Sequence, residues 1–132
     1  MNFDYVQLSQ SKSYKIIHLY ESAYIAPLQS SDINQYIEIG DFYGNPEVAI
    51  IDKNEKWCAV GGCGLIIYFI QEPFIPYQYD QESSQYFELH RNPPSIWWIT
   101  SLQQITTSKI LITLESTEIW ILDVYSKQIS NK

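Results

Sequence analysis

Short apolar runs separated by turn-forming residues recur along the 132-residue chain. In 14–20, Tyr14, Ile16, His18 and Tyr20 fall on one face of an extended segment, and Lys15, Ile17 and Leu19 on the other. That alternation is the signature of a strand. Runs at 47–51, 57–60, 65–70, 85–89, 96–100, 109–114 and 118–124 are short and rich in Ile, Val, Tyr, Trp or Phe, residues suited to a pleated, half-buried surface. Between them lie Gly44-Asn45-Pro46, Asp52-Lys53-Asn54-Glu55, Gly61-Gly62-Cys63-Gly64, Arg91-Asn92-Pro93-Pro94 and Glu115-Ser116-Thr117, all turn material. Eight such strands predict a mainly β protein: an antiparallel sheet that is curled or folded into two layers. Trp57, Trp97, Trp98 and Trp120 are candidates for the core or the space between layers.

Two places depart from this pattern. In 31–39, Ile33, Tyr36 and Ile37 follow helical spacing, behind the N-capping residues Ser30, Ser31 and Asp32 and ahead of Gly40. A short helix there makes the fold α+β, although Tyr36-Ile37-Glu38-Ile39 also suits a strand. Ser22–Leu28 offers a second place for helix, limited by Pro27. A faint internal echo lays 56–68 over 109–121 at an offset of 53 residues, each copy reading strand, tight turn, strand. Two such hairpins are too few to close a propeller, which takes at least about four blades. They read instead as parts of one sheet, with a propeller-like or scaffold interaction module as the alternative.

The chain is long enough for one domain, residues 1–132, and too short for two independent cores. Twenty Ile against four Ala, with eleven Tyr, exclude a helical bundle and a coiled coil. Eight basic and fifteen acidic residues give a net charge of −7. The distribution sharpens this: residues 16–90 hold eleven acids and only Lys53 and Lys56 as bases, a net of −9. Such a field repels nucleic acid and anionic membrane surfaces and attracts a basic partner. Residues 1–12 show neither a basic leader nor an apolar stretch, and the longest apolar run, 65–70, is far below the roughly 20 residues of a membrane span. A soluble cytoplasmic protein with Cys58 and Cys63 as thiols is the expectation.

No catalytic motif emerges, and no cofactor is expected. Gly61-Gly62-Cys63-Gly64 lacks the following helix that a phosphate-binding loop needs, so it reads as a hairpin turn. Cys58, Cys63, His18 and His90 have no spacing that supports a zinc site. Cys63 with His18 or His90 forms a dyad only on paper, without a surrounding signature. The most suggestive stretch is 71–85, QEPFIPYQYDQESSQ. Pro73 and Pro76 exclude it from a central strand, yet it sets Phe74, Ile75, Tyr77 and Tyr79 among Glu72, Asp80 and Glu82 without one Lys or Arg. Aromatics beside carboxylates suit docking to a basic surface. The candidate partner-binding set is therefore Glu72, Phe74, Tyr77, Tyr79, Asp80, Glu82 and Glu88. The competing possibility is a loop that folds back to cap the core.

In overall character, including the acidic middle region and 71–85, the chain resembles the immunity proteins of bacterial contact-dependent growth inhibition and related polymorphic toxin systems. The resemblance involves no shared motif. It implies a cytoplasmic, non-enzymatic protein that binds a cognate toxin domain, often a basic nuclease, and occludes its active site.

Overall fold

The alternation seen in the sequence extends further than eight strands. The computed structural model describes residues 4–132, so the first three residues of the opening segment read above lie outside it. Among the described residues, twelve strands form three four-stranded antiparallel sheets. The first sheet contains β1 (Val6–Gln10), β2 (Tyr14–Leu19), β3 (Ser22–Pro27) and β4 (Ile37–Asp41). The second contains β5 (Val48–Ile51), β6 (Trp57–Gly62), β7 (Gly64–Phe69) and β8 (Tyr86–Leu89). The third contains β9 (Ile99–Gln104), β10 (Lys109–Leu114), β11 (Ile119–Asp123) and β12 (Ile129–Asn131). Each is a meander in chain order, and the sheets stack face to face with β1, β5 and β9 as neighbours.

Strand periodicity explains the stack. Successive side chains of a strand leave on opposite faces, and in the second sheet both faces are apolar. Cys58, Val60, Ile66 and Tyr68 pack into a core with Ile16, Ala23, Ile25 and Ile39 of the first sheet. The intervening Trp57, Ala59, Leu65 and Ile67 pack into a separate core with Ile99, Ile110, Ile112 and Leu122 of the third. The middle sheet therefore reads as unbroken apolar runs, because it faces no solvent on either side. The architecture is mainly β, as the pattern predicts, but it has three layers where a curled sheet or two layers were expected. Both faces of 57–60 and 65–70 need covering, and one partner sheet covers only one.

The helix expected near 31–39 is not formed. Ile33–Gln35 makes a single 3-10 turn, capped by the Asp32 carboxylate accepting from Asn34 N at 3.0 Å, and none of its residues is buried. Tyr36 is extended, and Ile37–Asp41 pairs with β3 as Ile25↔Ile37 and Tyr24↔Glu38, which buries Ile39. Burying alternate isoleucines in a sheet outweighs a weak helical spacing. Ser22–Pro27 is likewise a strand, not a helix. The polar edge strands β1 and β12 carry too few apolar residues to be read from pattern. Trp57 and Trp97 are core residues as expected; Trp98 is exposed and Trp120 half-buried.

The echo also has a structural basis, but not at a uniform offset of 53. The hairpins β6–β7 and β10–β11 occupy equivalent positions in adjacent sheets. Cys58↔Tyr68 matches Ile110↔Leu122, which places the offset at 52 in one strand and 54 in the other. A slip of one residue moves every side chain to the opposite face, so the offset of 53 aligns residues on opposite faces of their sheets, such as Trp57 with Ile110, which meet in the core between the second and third sheets.

The seam between the second and third sheets tolerates little change. A Cβ added at Gly61 would lie 2.8 Å from Ile99 Cγ2. Gly61→Val is expected to lower unfolding free energy in urea by about 1–3 kcal/mol through overpacking, and Trp57→Ala by about 3–5 kcal/mol through loss of a fully buried ring.

Candidate functional site

Three antiparallel meanders stacked in register send alternate turns to the same end. The β2–β3 and β6–β7 turns therefore meet the β4–β5 and β8–β9 connections, and between them opens a cleft of about 450 Å³. The β2–β3 turn supplies Glu21. The end of β4 supplies Asp41, the segment after it Phe42 and Tyr43, and the β6–β7 turn supplies Cys63. Tyr79 and Asp80 come from the long β7–β8 connection, and Glu88, His90, Arg91 and Asn92 from the end of β8 and beyond. A neighbouring cleft of about 400 Å³ shares Tyr43 and Cys63 and adds Glu47, Trp98 and Glu115. Tyr43 and Tyr79 are 79% and 71% exposed, and Trp98 and the turn residue Tyr20 are also exposed. Large rings left in water on the same end as several carboxylates distinguish this end from the rest of the surface.

The charge balance is one-sided. Glu21, Asp41, Asp80 and Glu88 line the main cleft and Glu47 and Glu115 the adjoining one, against Arg91 as the only Lys or Arg. Arg91 is already engaged. Its Nη1 donates to Glu88 Oε1 at 2.6 Å, its Nη2 donates to the Asp41 carbonyl, and its guanidinium lies 4.7 Å from the centre of the Phe42 ring. The chain makes room for it at Gly64, which has φ +83°. A Cβ there would stand 2.9 Å from both Arg91 Cα and the His90 carbonyl oxygen. Arg91 thus ties the second sheet to the end of β4 and forms the wall of the cleft.

Tyr77 supports the same wall from behind. It is 4% exposed, and its hydroxyl donates to Glu88 Oε1 at 2.8 Å. Burial, followed by the Glu88 carboxylate, raises its hydroxyl well above the ordinary tyrosine range. Its backbone N–H donates to the Glu38 carbonyl at 2.8 Å, which binds the β7–β8 connection to the first sheet. Glu21 is held too: its Oε2 accepts from Gly44 N at 2.7 Å. His90 stacks on Trp97 at 4.1 Å, and its Nδ1 pairs with the Ser95 carbonyl at 3.0 Å.

The structure brings together only part of the sequence-predicted set. Tyr79, Asp80 and Glu88 line the cleft. Tyr77 is buried beneath it. Phe74 folds back, packing against the core and edge-on to Tyr14, so the capping possibility holds for that part of the loop. Glu82 lies in a different depression with Lys127, and Glu72 lines neither cleft. Sequence reasoning missed Glu21, Asp41, Tyr43, Glu47, Trp98 and Glu115. Their shared signal is an acidic or aromatic residue at the end of an even-numbered strand or in the link after it, which is visible only once all twelve strands are counted.

Catalytic arrangements gain no support from the contacts. Cys63 and His90 share the cleft, but among the described residues no hydrogen bond joins Cys63 to a histidine; His18 Nδ1 pairs instead with the Tyr20 carbonyl at 2.9 Å. Cys58 is fully enclosed, and burial raises its thiol far above the ordinary range. No group of three or more His, Cys, Asp or Glu among the described residues could hold a metal ion. No helix among them is long and apolar enough to cross a membrane.

Two measurements check this electrostatic picture. Tyr77→Phe removes a partner of a half-buried carboxylate and should cost about 1–2 kcal/mol in urea unfolding. Glu38, whose carboxyl is raised by burial and then by Asp41, holds its proton more tightly folded than unfolded. Stability from this group therefore falls as pH rises through the window from the ordinary glutamate value upward. Glu38→Gln should stabilise the protein at neutral pH, an advantage that shrinks as the pH drops below that window.

No protein-family model matches the chain, and no curated protein is similar to it. Among solved structures, it is similar to a chain of the yeast heterotrimeric Nup82-Nup159-Nup116 nucleoporin complex, at 12% sequence identity and a TM-score of 0.49. The match covers 96% of this chain and 32% of that one, so this chain spans about a third of its length.

Proposed function

We propose that the chain is a non-catalytic interaction module, a scaffold of like sheets packed in the manner of propeller blades, which offers its acidic and aromatic end to a basic protein. The observation that carries this reading is the convergence of Glu21, Asp41, Asp80 and Glu88 with exposed Tyr43 and Tyr79 around a cleft whose only Lys or Arg is internally paired. Glu88 is paired with Arg91, but Glu21, Asp41 and Asp80 make no ion pair among the described residues. Such carboxylates steer a cationic partner and fix its orientation, while tyrosine rings supply contact area with few rotors to freeze. Nucleic acid is disfavoured by the same charge. The residues that shape the cleft are tied by Arg91, Tyr77 and the Glu21 turn, so little ordering cost accompanies binding.

A narrower version makes the partner a toxin domain that the module neutralises. The feature favouring it is a carboxylate cluster on a rigid wall, which can stand in for the phosphates of a nuclease substrate. In that case binding abolishes the partner's activity; for a scaffold, the partner stays active.

Binding to an oligo-arginine peptide tests the docking reading. Association should slow steeply between about 50 and 500 mM salt, as screening shortens the Debye length to a few ångströms. Asp41→Lys with Asp80→Lys should weaken binding by roughly tenfold or more. Glu72→Lys with Glu82→Lys, outside the cleft, should weaken it much less. Equal losses from the two pairs would show that net charge alone drives the association and would end the case for this site.

A further inference from the structure

The stack has two ends of another kind: the outward faces of its first and third sheets. Val6 opens β1 opposite His18 beside the β2–β3 turn, and the openings of β5 and β9 line the cleft at that same end of the stack. The three first strands thus run the same way, and every sheet has an equivalent front and back. The front of the first sheet packs on the back of the second, and the front of the second packs on the back of the third. The interface is made twice within the chain and leaves one unmatched back, on the first sheet, and one unmatched front, on the third.

Each unmatched face has apolar content. On the first sheet the register Ile17↔Tyr24↔Glu38 runs across the back; Ile17 is already buried, Tyr24 and Glu38 are half-buried, and Tyr5 lies edge-on to Tyr24 at 5.9 Å. On the third, Leu111↔Ile121 and Thr113↔Ile119 cross the front half-buried. Both faces also carry charge: Glu38 makes no ion pair among the described residues, and Lys109 stands exposed on the opposite type of face, directly across from Asp123.

We propose that two copies of this chain join head to tail, the front of the third sheet of each against the back of the first sheet of the other, closing a ring of six sheets. Rings of four-stranded blades usually hold about 4–8 of them, and two copies of the three sheets described here supply six. A heterologous contact forms a ring when its rotation closes and a filament when it does not. Here the two equivalent contacts lie across one two-fold axis. Each extends an interface already made twice inside the chain.

Sedimentation of the 132-residue chain over a range of concentrations tests this. The expected species is a dimer of twice 15.5 kDa. Tyr24→Lys, on one face, and Ile121→Lys, on the other, should each shift the protein to monomer while circular dichroism melts show that the fold persists. An equimolar mixture of the two variants keeps one undamaged contact and should recover heterodimer. A wild-type monomer at every concentration overturns the proposal, as does a ladder of ever larger species, which would mean contact without closure. A dimer insensitive to either variant also overturns it, by showing like faces paired. These variants lie away from the acidic cleft, so oligo-arginine binding should survive them, and failure here is separable from failure of the docking reading.

Discussion

The rest of the structure depends on covering both faces of the second sheet. Trp57, Ala59, Leu65 and Ile67 leave one side, and Cys58, Val60, Ile66 and Tyr68 the other, all of them almost fully enclosed. Removing this much apolar surface from water is the dominant favourable contribution to folding. Neither outer sheet has a second sheet packed on it, so each borrows its main core from the middle one. The two cores do not share side chains, and the second sheet is the wall that both lean on. Close packing leaves room for backbone alone at Gly61, which is why the seam excludes even a methyl group without a shift of Ile99.

That wall also shapes the surface chemistry. The tight Gly62-Cys63-Gly64 turn draws the strand after Pro94 back onto the sheet, with Gly64 N donating to the Trp97 carbonyl at 2.7 Å. His90 and Arg91 are placed by the same return. Arg91 then reaches the carbonyl of Asp41 in the first sheet, so one side chain links two sheets and closes the floor beneath the acidic rim. The long β7–β8 connection is pinned in turn by Gln85, whose Nε2 donates to the Phe69 and Gln71 carbonyls at 2.7 and 2.9 Å. Its tip presents Tyr79 and Asp80 from an anchored base.

Much of the fold was legible in the sequence wherever a strand buries at least one full face. The segments 14–20, 57–60, 65–70 and 109–114 are strands because alternation and β-branched content agree there. Layer number was not legible, since an apolar run says that both sides are covered without saying by what. At 31–39 three residues at helical spacing competed with the alternation of Ile37 and Ile39, and pairing with β3 decided the outcome. In the cleft, Tyr79, Asp80 and Glu88 were visible because they lie in or near one acidic, aromatic stretch. Glu21, Asp41 and Tyr43 were not, because only the meander brings distant turns to one end. Tyr77 looked like its neighbours in sequence but faces inward, a distinction set by its hydroxyl, which donates to Glu88 and accepts from Arg91, and by the first sheet behind it.

The meander within each sheet has a kinetic meaning. Nearly every strand pairs with its sequence neighbour, so loop closure during hairpin formation spans short stretches of chain and searches are brief. Only the packing of one sheet on the next joins remote segments. Each outer sheet is held by one neighbouring sheet and the middle one by two, so the strands of the middle sheet are expected to open last. Amide protons of β6 and β7 are consequently expected to be the slowest to exchange with solvent, and those of the edge strands the fastest.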